Sequence, residues 1–557
     1  MARTAARPMP RVKEQTGSPA THHGVDRRMI TFIGVLCAMF LAALDQTIVS
    51  TALPQIVKDL HGGTAISPVV TSYLLTSTAV IAIVGKLSGQ VGRKLTVMVG
   101  IVSFVVFSAA CGAAQNMTQL IIFRGIQGIG GGIIMGTVFV VIADIFSPAE
   151  RGRYTGLMSA VFGLAAIVGP LVGGYLTQNY SWRWIFYVNL PIGVAVLFLL
   201  WFTFPTLRHA VRQTVDYVGA GLLVASAGLV TLGASRAEDH GWDGIVIAMI
   251  VAGLAVLVVT PLYEARHKDA IVPPQMFRSS IFSLSSFIAF ILGVAMFGSI
   301  IYIQVFLQDV VGVKVLNSGV TVWPLMFAMV SMSVVGGIVL SRTGRYAYQT
   351  LLGLGLMAFS MYLMSRLNID STQFQVAVEM VIFGLGLGLT FPVLNVVSQN
   401  AVSQEYVGPA VSAIQFLRQI GATVGTAAMG AVLAQTAKNN GPADFKAALV
   451  ARHAPAQLLA RIPSHVPSGG GSLNAILAQI PDPAVRAQVA NLIGGAMADA
   501  QKMALAQGIH VVFTISFVLI LLSVFVALFI HEIPLRHNAP ASARADAGEV
   551  VAEPVLA

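Results

Sequence analysis

Along this chain, apolar runs long enough to cross a bilayer recur with short polar breaks between them. They fall at 29–53, 67–86, 95–114, 118–146, 154–177, 184–204, 216–236, 244–263, 281–307, 317–341, 348–366, 374–400, 407–435 and 508–531. Most have the length of a helix spanning a hydrocarbon core of about 30 Å, and they hold few charges. The pattern predicts fourteen transmembrane helices and an all-α membrane protein. An even count puts both ends of the chain on one side. Arg3, Arg7, Arg11, Lys13, Arg27 and Arg28 precede the first span. Alternate loops hold Arg93 and Lys94, Arg151 and Arg153, Arg208 and Arg212, Arg266 and Lys268, and Arg342 and Arg345. The loops between them, such as 115–117 and 238–243, are neutral or acidic. By the positive-inside rule both termini are expected in the cytoplasm.

The chain also repeats itself. Gly85-Lys-Leu-Ser-Gly-Gln-Val-Gly92-Arg93 separates spans two and three, and Gly337-Ile-Val-Leu-Ser-Arg-Thr-Gly344-Arg345 separates spans ten and eleven. Glu150 and Glu405, before spans five and thirteen, recur at nearly the same offset. Parallel repeats of this kind imply two six-helix bundles in one orientation, with spans seven and eight inserted as linker helices. The expected organisation is a disordered tail at 1–28, a first bundle at 29–205, and linker helices at 206–270. The first five helices of the second bundle follow at 271–436, then an outer insert at 437–507, the last span at 508–533 and a tail at 534–557. The insert is broken by Pro455, Pro463, Pro467 and Gly469 to Gly471, while Leu473, Ile476, Leu477, Ile480, Val489, Leu492 and Ile493 keep helical spacing. Short amphipathic helices are expected there. A solvated spacer and a surface for an extracytoplasmic partner both fit.

Composition narrows the class. Over 557 residues, 56% are hydrophobic and 10% charged, with mean hydropathy +0.80; soluble proteins carry about 25% charged residues. A net charge of +10 would suggest nucleic acid in a soluble chain. Here the basic residues sit mainly in short loops, so no nucleic-acid partner is expected. Cys37 and Cys111 both lie in apolar runs and read as packing residues, not as a disulfide or metal site.

The informative positions are the polar ones inside spans. Asp45 is the one charge in the stretch from Met29 to Pro54, and a carboxylate at that depth costs about 2.5–3.5 kcal/mol on insertion scales. Such groups face a bundle interior or a water-filled path. At about 1.5 Å per residue, Asp45 lies roughly 22–24 Å in, while Arg124 and Glu379 lie roughly 8–10 Å from the opposite surface. The three are thus expected in one layer, where a changing neighbourhood could load and release a proton. A fixed structural pair of Asp45 with Arg124 is the competing reading. Gln127, Asn189, Gln304, Asn395, Gln415, Arg418 and Gln419 are the other candidates for a cavity, with Phe162, Tyr302, Trp323 and Phe416 as its aromatic wall. For Arg418, helix packing is an equal alternative. Gly128, Gly132 and Gly136, like Gly169 and Gly173, make small-xxx-small steps for close helix approach, and Pro170 favours a kink. No phosphate loop, metal spacing or catalytic triad is found in the sequence.

Several strings in order carry a resemblance. They are Leu44-Asp45-Gln-Thr47-Ile-Val-Ser-Thr-Ala52-Leu53-Pro54 in span one, Arg124-Gly-Ile-Gln127-Gly128-Ile-Gly130-Gly-Gly132 in span four, and Val168-Gly169-Pro170-Leu-Val-Gly173-Gly174 in span five. Trp182-Arg183-Trp184-Ile185-Phe186 with Asn189, Pro191 and Gly193, and Gln415-Phe-Leu-Arg418-Gln419-Ile-Gly421 with Gly425, complete the set. Over about 29–435 and 508–531 the chain resembles the major facilitator superfamily, and within it the fourteen-span drug:proton antiporters. The resemblance implies the major facilitator fold in an inner or plasma membrane. It also implies proton-coupled export of amphipathic, often cationic compounds, without a cofactor. Asp45 and Arg124 would serve coupling, joined by Glu379 on the ground of its depth alone, and Gly85, Gly92, Arg93, Gly169, Pro170 and Gly173 gating. Membrane lipids surround such a protein. A lipid or long-chain amphiphile exporter and a non-transporting receptor or scaffold are the alternatives. One departure stands out: Gly89 and Gln90 occupy positions where the family loop motif has an acid and a base, which puts a charge latch there in question.

Overall fold

The structure, a computed structural model, describes residues 27–60, 66–146, 148–204, 216–266, 270–313, 322–452, 454 and 483–533. The tails, and Leu473, Ile476, Leu477 and Ile480 of the insert, lie outside the described residues. Among the described residues, fifteen α-helices make fourteen candidate spans. The first bundle holds α1 (Arg27–Asp59), α2 (Ile66–Val91), α3 (Arg93–Ala113), α4 (Met117–Ile145), α5 (Pro148–Asn179), the short α6 (Trp184–Tyr187) and α7 (Asn189–Thr203). Helices α8 (Tyr217–His240) and α9 (Gly244–Glu264) follow. The second bundle holds α10 (Ser280–Val305), α11 (Trp323–Thr343), α12 (Ala347–Met364), α13 (Gln373–Asn400), α14 (Val407–Ala451) and α15 (Pro483–Ala527).

Polar residues at the breaks define the helix ends. Asn116, Asp216, Asp243 and Thr372 each accept a backbone N–H from the first turn that follows, satisfying donors a helix start leaves free. The two repeated loops turn on glycines with positive φ, Gly92 at 100° and Gly344 at 66°, a conformation other residues adopt only with strain. Both repeated loops thus use a glycine at positive φ, although the turns differ: Gly92 has ψ 136° and Gly344 is left-handed α with ψ −2°. Helix sides facing away from the bundles carry exposed apolar residues, such as Val99, Val102 and Val106 on α3 and Phe198, Trp201 and Phe202 on α7. Those are surfaces for lipid chains.

Close helix approach depends on small residues. A Cβ at Gly128 or Gly132 would collide with the α2 backbone at Tyr73 and Ser77, and one at Gly169 or Gly173 with Thr47, Ile48 or Thr51 of α1. The same device joins the two bundles at the face bearing the basic loops. Gly85 of α2 lies against the Gly408 backbone of α14, and Gly152 of α5 against that of Gly337 in α11. Arg151 donates across the seam to Gln399 at 3.1 Å. Helix α8 packs on both α2 and α14, so the first of the inserted pair lies against both bundles. Lys86 of α2 donates to the Ala270 carbonyl at 3.0 Å, and Glu264 accepts from Ile271 and Val272 at 2.8 and 3.0 Å. The connection out of α9 is thereby tied down at the same face.

The insert departs from expectation. In place of separate short helices, its described parts continue the neighbouring spans, so α14 and α15 each run 45 residues. At 1.5 Å per residue each reaches about 67 Å, more than twice the bilayer core. Their extensions pack through Phe445, Ala448, Leu449, Ile493, Ala496 and Ala500. Arg452 pairs with Asp499 at 2.7 Å, and Gln507 with Asn440 and Asp444 at 2.6 and 3.0 Å. Apolar pairing between the two extensions explains why the helices do not stop at the membrane surface.

The bundle seam yields a prediction. Overpacking it with Gly337→Val should shift the balance between sealed and open states roughly tenfold toward the open one. A cysteine introduced as Ser159→Cys, at a position that is buried now, should then react with an impermeant maleimide from the basic-loop face. Unchanged labelling would show that this contact does not control the seal.

Candidate functional site

Asp45 sits in α1 with no solvent exposure. Helix α4 presents Arg124 and Gln127 three residues apart, hence on one face, and both turn toward it. Arg124 Nη1 donates to Asp45 Oδ2 at 2.6 Å and to Gln127 Oε1 at 2.8 Å. Gln127 Nε2 and Asn189 Nδ2 donate to the other carboxylate oxygen, Oδ1, at 3.1 and 2.9 Å. Behind them, Asn189 Nδ2 also meets Ser108 Oγ at 3.0 Å, and Cys111 Sγ donates to Gln127 Oε1 at 3.6 Å. The Arg124 guanidinium lies over the Tyr73 ring at 4.4 Å and the Phe186 ring at 5.8 Å. The tryptophan-rich turn before α7 thus supplies one ring of this cage and delivers Asn189 to it. Ser108 Oγ fastens the turn by donating to the Phe186 carbonyl at 2.9 Å.

Burying two ions costs several kcal/mol each unless the pair is well hydrogen-bonded. Here both carboxylate oxygens are satisfied, so the pair is stable while it lasts. Arg124 Nε and Asn189 Oδ1 have no protein partner.

One residue further along α1, the chain enters a different environment. Gln46 and Thr47 line a cavity of about 280 Å³ between the two bundles. Its walls come from α1, α2, α4 and α5 on one side and α10, α11, α13 and α14 on the other. Met135, Phe139, Phe162, Met296, Met326, Met329 and Phe391 make it mostly apolar, with Ser77, Ser159, Gln415, Arg418 and Gln419 as polar points. Flexible methionines let such a wall adapt to different shapes. Thr47 Oγ also donates to the Ala165 carbonyl of α5 at 2.9 Å. Pro170 deprives the neighbouring Ala166 carbonyl, at the cavity wall, of its helical donor. Asp45 and the cavity are therefore joined through one turn of α1 and the kinkable part of α5.

The structure sorts the residues expected from sequence into three groups. Gln415, Arg418, Gln419 and Phe162 line the cavity. Gln127 and Asn189, expected there too, belong to the Asp45 cage instead. Gln304 and Asn395 are not among the described lining residues. Asn395 turns back to the Phe391 carbonyl at 3.0 Å, a short polar side chain answering its own helix. Tyr302 fastens α10 to the Thr426 carbonyl at 3.0 Å, and Phe416 is buried in the core. Trp323 opens α11 and is also absent from the described lining. Of the three charges expected in one layer, the structure brings Asp45 and Arg124 together and leaves Glu379 apart from them. Glu379 belongs to the second bundle, where Gln375 donates to it at 3.1 Å and Ser360 to its backbone carbonyl at 2.7 Å. Among the described residues no hydrogen bond or ion pair links it to Asp45 or Arg124.

Arg93 has a carboxylate partner even without an acid at position 89. Arg93 Nε pairs with Asp144 at the end of α4 at 2.9 Å, both largely buried, and Arg93 Nη1 bonds Gly85 O at 3.1 Å and Ser88 Oγ. Asp144 supplies the carboxylate that position 89 lacks. Its signal was a lone acid at the end of an otherwise apolar span. Phe391 and the cavity methionines gave no signal, because an apolar residue in a membrane helix is unremarkable.

A family model described as Major Facilitator Superfamily matches residues 35–426. The chain is 36% identical over 414 residues to the multidrug transporter protein MdtP of Bacillus subtilis (strain 168), covering 73% of this chain and 75% of that protein. Multidrug resistance protein 3 of the same organism is 34% identical over 405 residues, covering 72% and 78%. Among solved structures, the crystal structure of the human organic anion transporter MFSD10 matches with a TM-score of 0.58 over 88% of this chain and 99% of that one. At 13% identity, that likeness is one of fold alone.

The ion pair yields its own prediction. Asp45→Asn should cost about 3–5 kcal/mol of unfolding free energy by leaving Arg124 buried without its carboxylate. Adding Arg124→Gln should recover much of that loss. Unfolding of the purified single and double variants in detergent measures it, and a coupling under about 1 kcal/mol would mean the two side chains act independently.

Proposed function

This chain belongs to the Major Facilitator Superfamily, and from that premise we propose that it is a proton-coupled antiporter exporting amphipathic small molecules. As a multi-pass membrane transporter it has relatives described as multidrug transporters. The proposal adds the direction, the coupling ion and the membrane, an inner or plasma membrane with both termini in the cytoplasm. Basic residues in alternate loops support that orientation.

The observation that carries the proposal is the adjacency of positions 45 and 46 on α1. One is caged by Arg124, Gln127 and Asn189, and the next lines the cavity. With the basic-loop face sealed, the cavity belongs to the outward-facing state. A proton reaching Asp45 from outside neutralises the carboxylate and breaks its ion pair, leaving the charge of Arg124 on Gln127 Oε1 and the aromatic rings. Helix α1 is then free to shift against α4, carrying Gln46 and Thr47 with it. Thr47 passes the shift to α5 through Ala165, where Gly169, Pro170 and Gly173 allow α5 to slide and bend. Opening the seams at Gly85 and Gly152 exposes Asp45 to the cytoplasm, where the proton leaves and a new substrate enters. Loss of the proton restores the ion pair.

A cavity of 280 Å³ lies near the lower end of the roughly 300–1,000 Å³ typical of small-molecule sites. It suits a ring system or a single chain better than a two-chain lipid, which favours drug-sized cargo over the lipid-export reading.

Purified protein in liposomes, loaded with an amphipathic fluorescent substrate, tests the reading. An imposed proton gradient should drive uphill substrate movement with a counterflow of protons. Asp45→Asn should abolish the gradient dependence while substrate exchange down its own gradient persists. Uphill transport retained in Asp45→Asn would overturn the coupling scheme, and failure of the wild type to move any substrate would favour a receptor or scaffold.

A further inference from the structure

Among the described residues, the arginines deep inside the membrane region have carboxylate or carbonyl partners, with Arg418 as the exception. Arg124 has Asp45 and Arg93 has Asp144. Arg183 donates to the carbonyls of Gly112 and Ala114, both at 2.7 Å, and Arg151 to those of Phe146 and Ala143 and to Gln399. Arg418 differs. Its guanidinium lies over the Phe391 ring at 4.2 Å, and no ion pair or hydrogen bond from its side chain to a protein acceptor occurs among the described residues. It also lines the cavity, whose described lining residues include no Asp or Glu.

An arginine in protein keeps its charge, and at the wall of a mostly apolar cavity that charge is best met by a counter-charge or hydrogen-bond acceptors. A ring face supplies only part of that. Placed about eleven residues into α14, roughly 16 Å along the helix axis, Arg418 is far from either membrane surface. Its planar fork is shaped for the two oxygens of a carboxylate, sulfonate or phosphate. Gln415 and Gln419, one turn before it and next to it on α14, offer amide donors on the same wall. Across the cavity lie apolar side chains, Phe139, Phe162 and Met326 among them.

We propose that the central cavity binds amphiphiles carrying a compact anionic headgroup, with Arg418 as the headgroup receptor and the Met/Phe wall holding the apolar body. The inference rests on the export reading above and narrows its substrate class. A cationic amphiphile would find no lining carboxylate to pair with, because Asp45 is closed off by its own cage. The headgroup completes the coordination of Arg418, and Phe391 holds the guanidinium flat and ready for it. Substrate charge and the coupling proton are thereby kept on separate residues in separate bundles.

The test is equilibrium binding to the full-length protein in nanodiscs, without any gradient. Three naphthalene derivatives of the same size carry a sulfonate, a neutral sulfonamide or a trimethylammonium group, and decanoate tests whether a single acyl chain serves as the body. The sulfonate should bind roughly 10- to 100-fold more tightly than the sulfonamide, as expected for a charged hydrogen-bond pair out of water. Arg418→Gln should bring the sulfonate down to the sulfonamide's affinity and leave the sulfonamide unchanged. Gln419→Glu, which keeps Arg418 and adds a carboxylate beside it, should erase the anion preference and improve ammonium binding, a gain that misfolding cannot mimic. Equal or tighter ammonium binding in the wild type, or an equal loss for all probes in Arg418→Gln, would overturn the inference while leaving the antiport scheme standing. Decanoate binding that depends on Arg418 would assign the anion to an acyl-chain source, and its absence to an aromatic one. If no probe binds, the cavity is not a substrate site, and both readings fall together.

Discussion

The Asp45–Arg124 ion pair is the constraint around which the first bundle is arranged. Two opposite charges out of water demand a full set of hydrogen bonds, and that demand accounts for residues on four other helices. Gln127 lies on the charged face of α4, Asn189 stands at the start of α7, and Ser108 and Cys111 on α3 orient them. Tyr73 of α2 and Phe186 of α6 close over the guanidinium. The glycines of α4 then follow from geometry, since α2 must come close enough for its tyrosine ring to cover the cation. A carboxylate held this firmly ties α1 to α4, and under the proposed coupling scheme it is the contact that a proton would release.

Much of this was legible in the sequence. Hydrophobic runs marked the spans, because the membrane makes span length and apolarity nearly obligatory. Loop charges and the repeated glycine turn marked the two bundles. Asp45 and Arg124 stood out as ions where ions are costly, and depth counting placed them together. Depth gave no rotational information, however, so Glu379 was grouped with a pair from which the second bundle separates it. The same gap misassigned Gln127 and Asn189, which are deep and polar but face the ion pair instead of the cavity. The 45-residue helices were hidden for a different reason. A membrane helix and its aqueous continuation differ in composition but not in backbone, so a drop in hydropathy near 437 looked like an end.

Polar work is divided between the bundles. The first holds an acid that is fully matched, and the second contributes Arg418 to the shared cavity without a matching acid. The contact between bundles combines close glycine steps, a buried apolar cluster that includes Val407, Val411 and Ile414, and a few hydrogen bonds, with no ion pair across it among the described residues. Linker helix α8 packs on a helix of each bundle, and α9 packs on α8 behind it. Under the proposed export cycle, α8 would follow both bundles as they part.

The paired extensions of α14 and α15 have a mechanical consequence. They are continuous with helices that wall the second bundle, so they must turn whenever that bundle turns. Rotation by about 15°, a scale seen when subunits pivot as rigid bodies, would sweep the far end of a 30 Å arm through about 8 Å. In the proposed cycle, a change in the middle of the bilayer would thus be amplified into a stroke beyond its surface, and the extensions would act as a pointer.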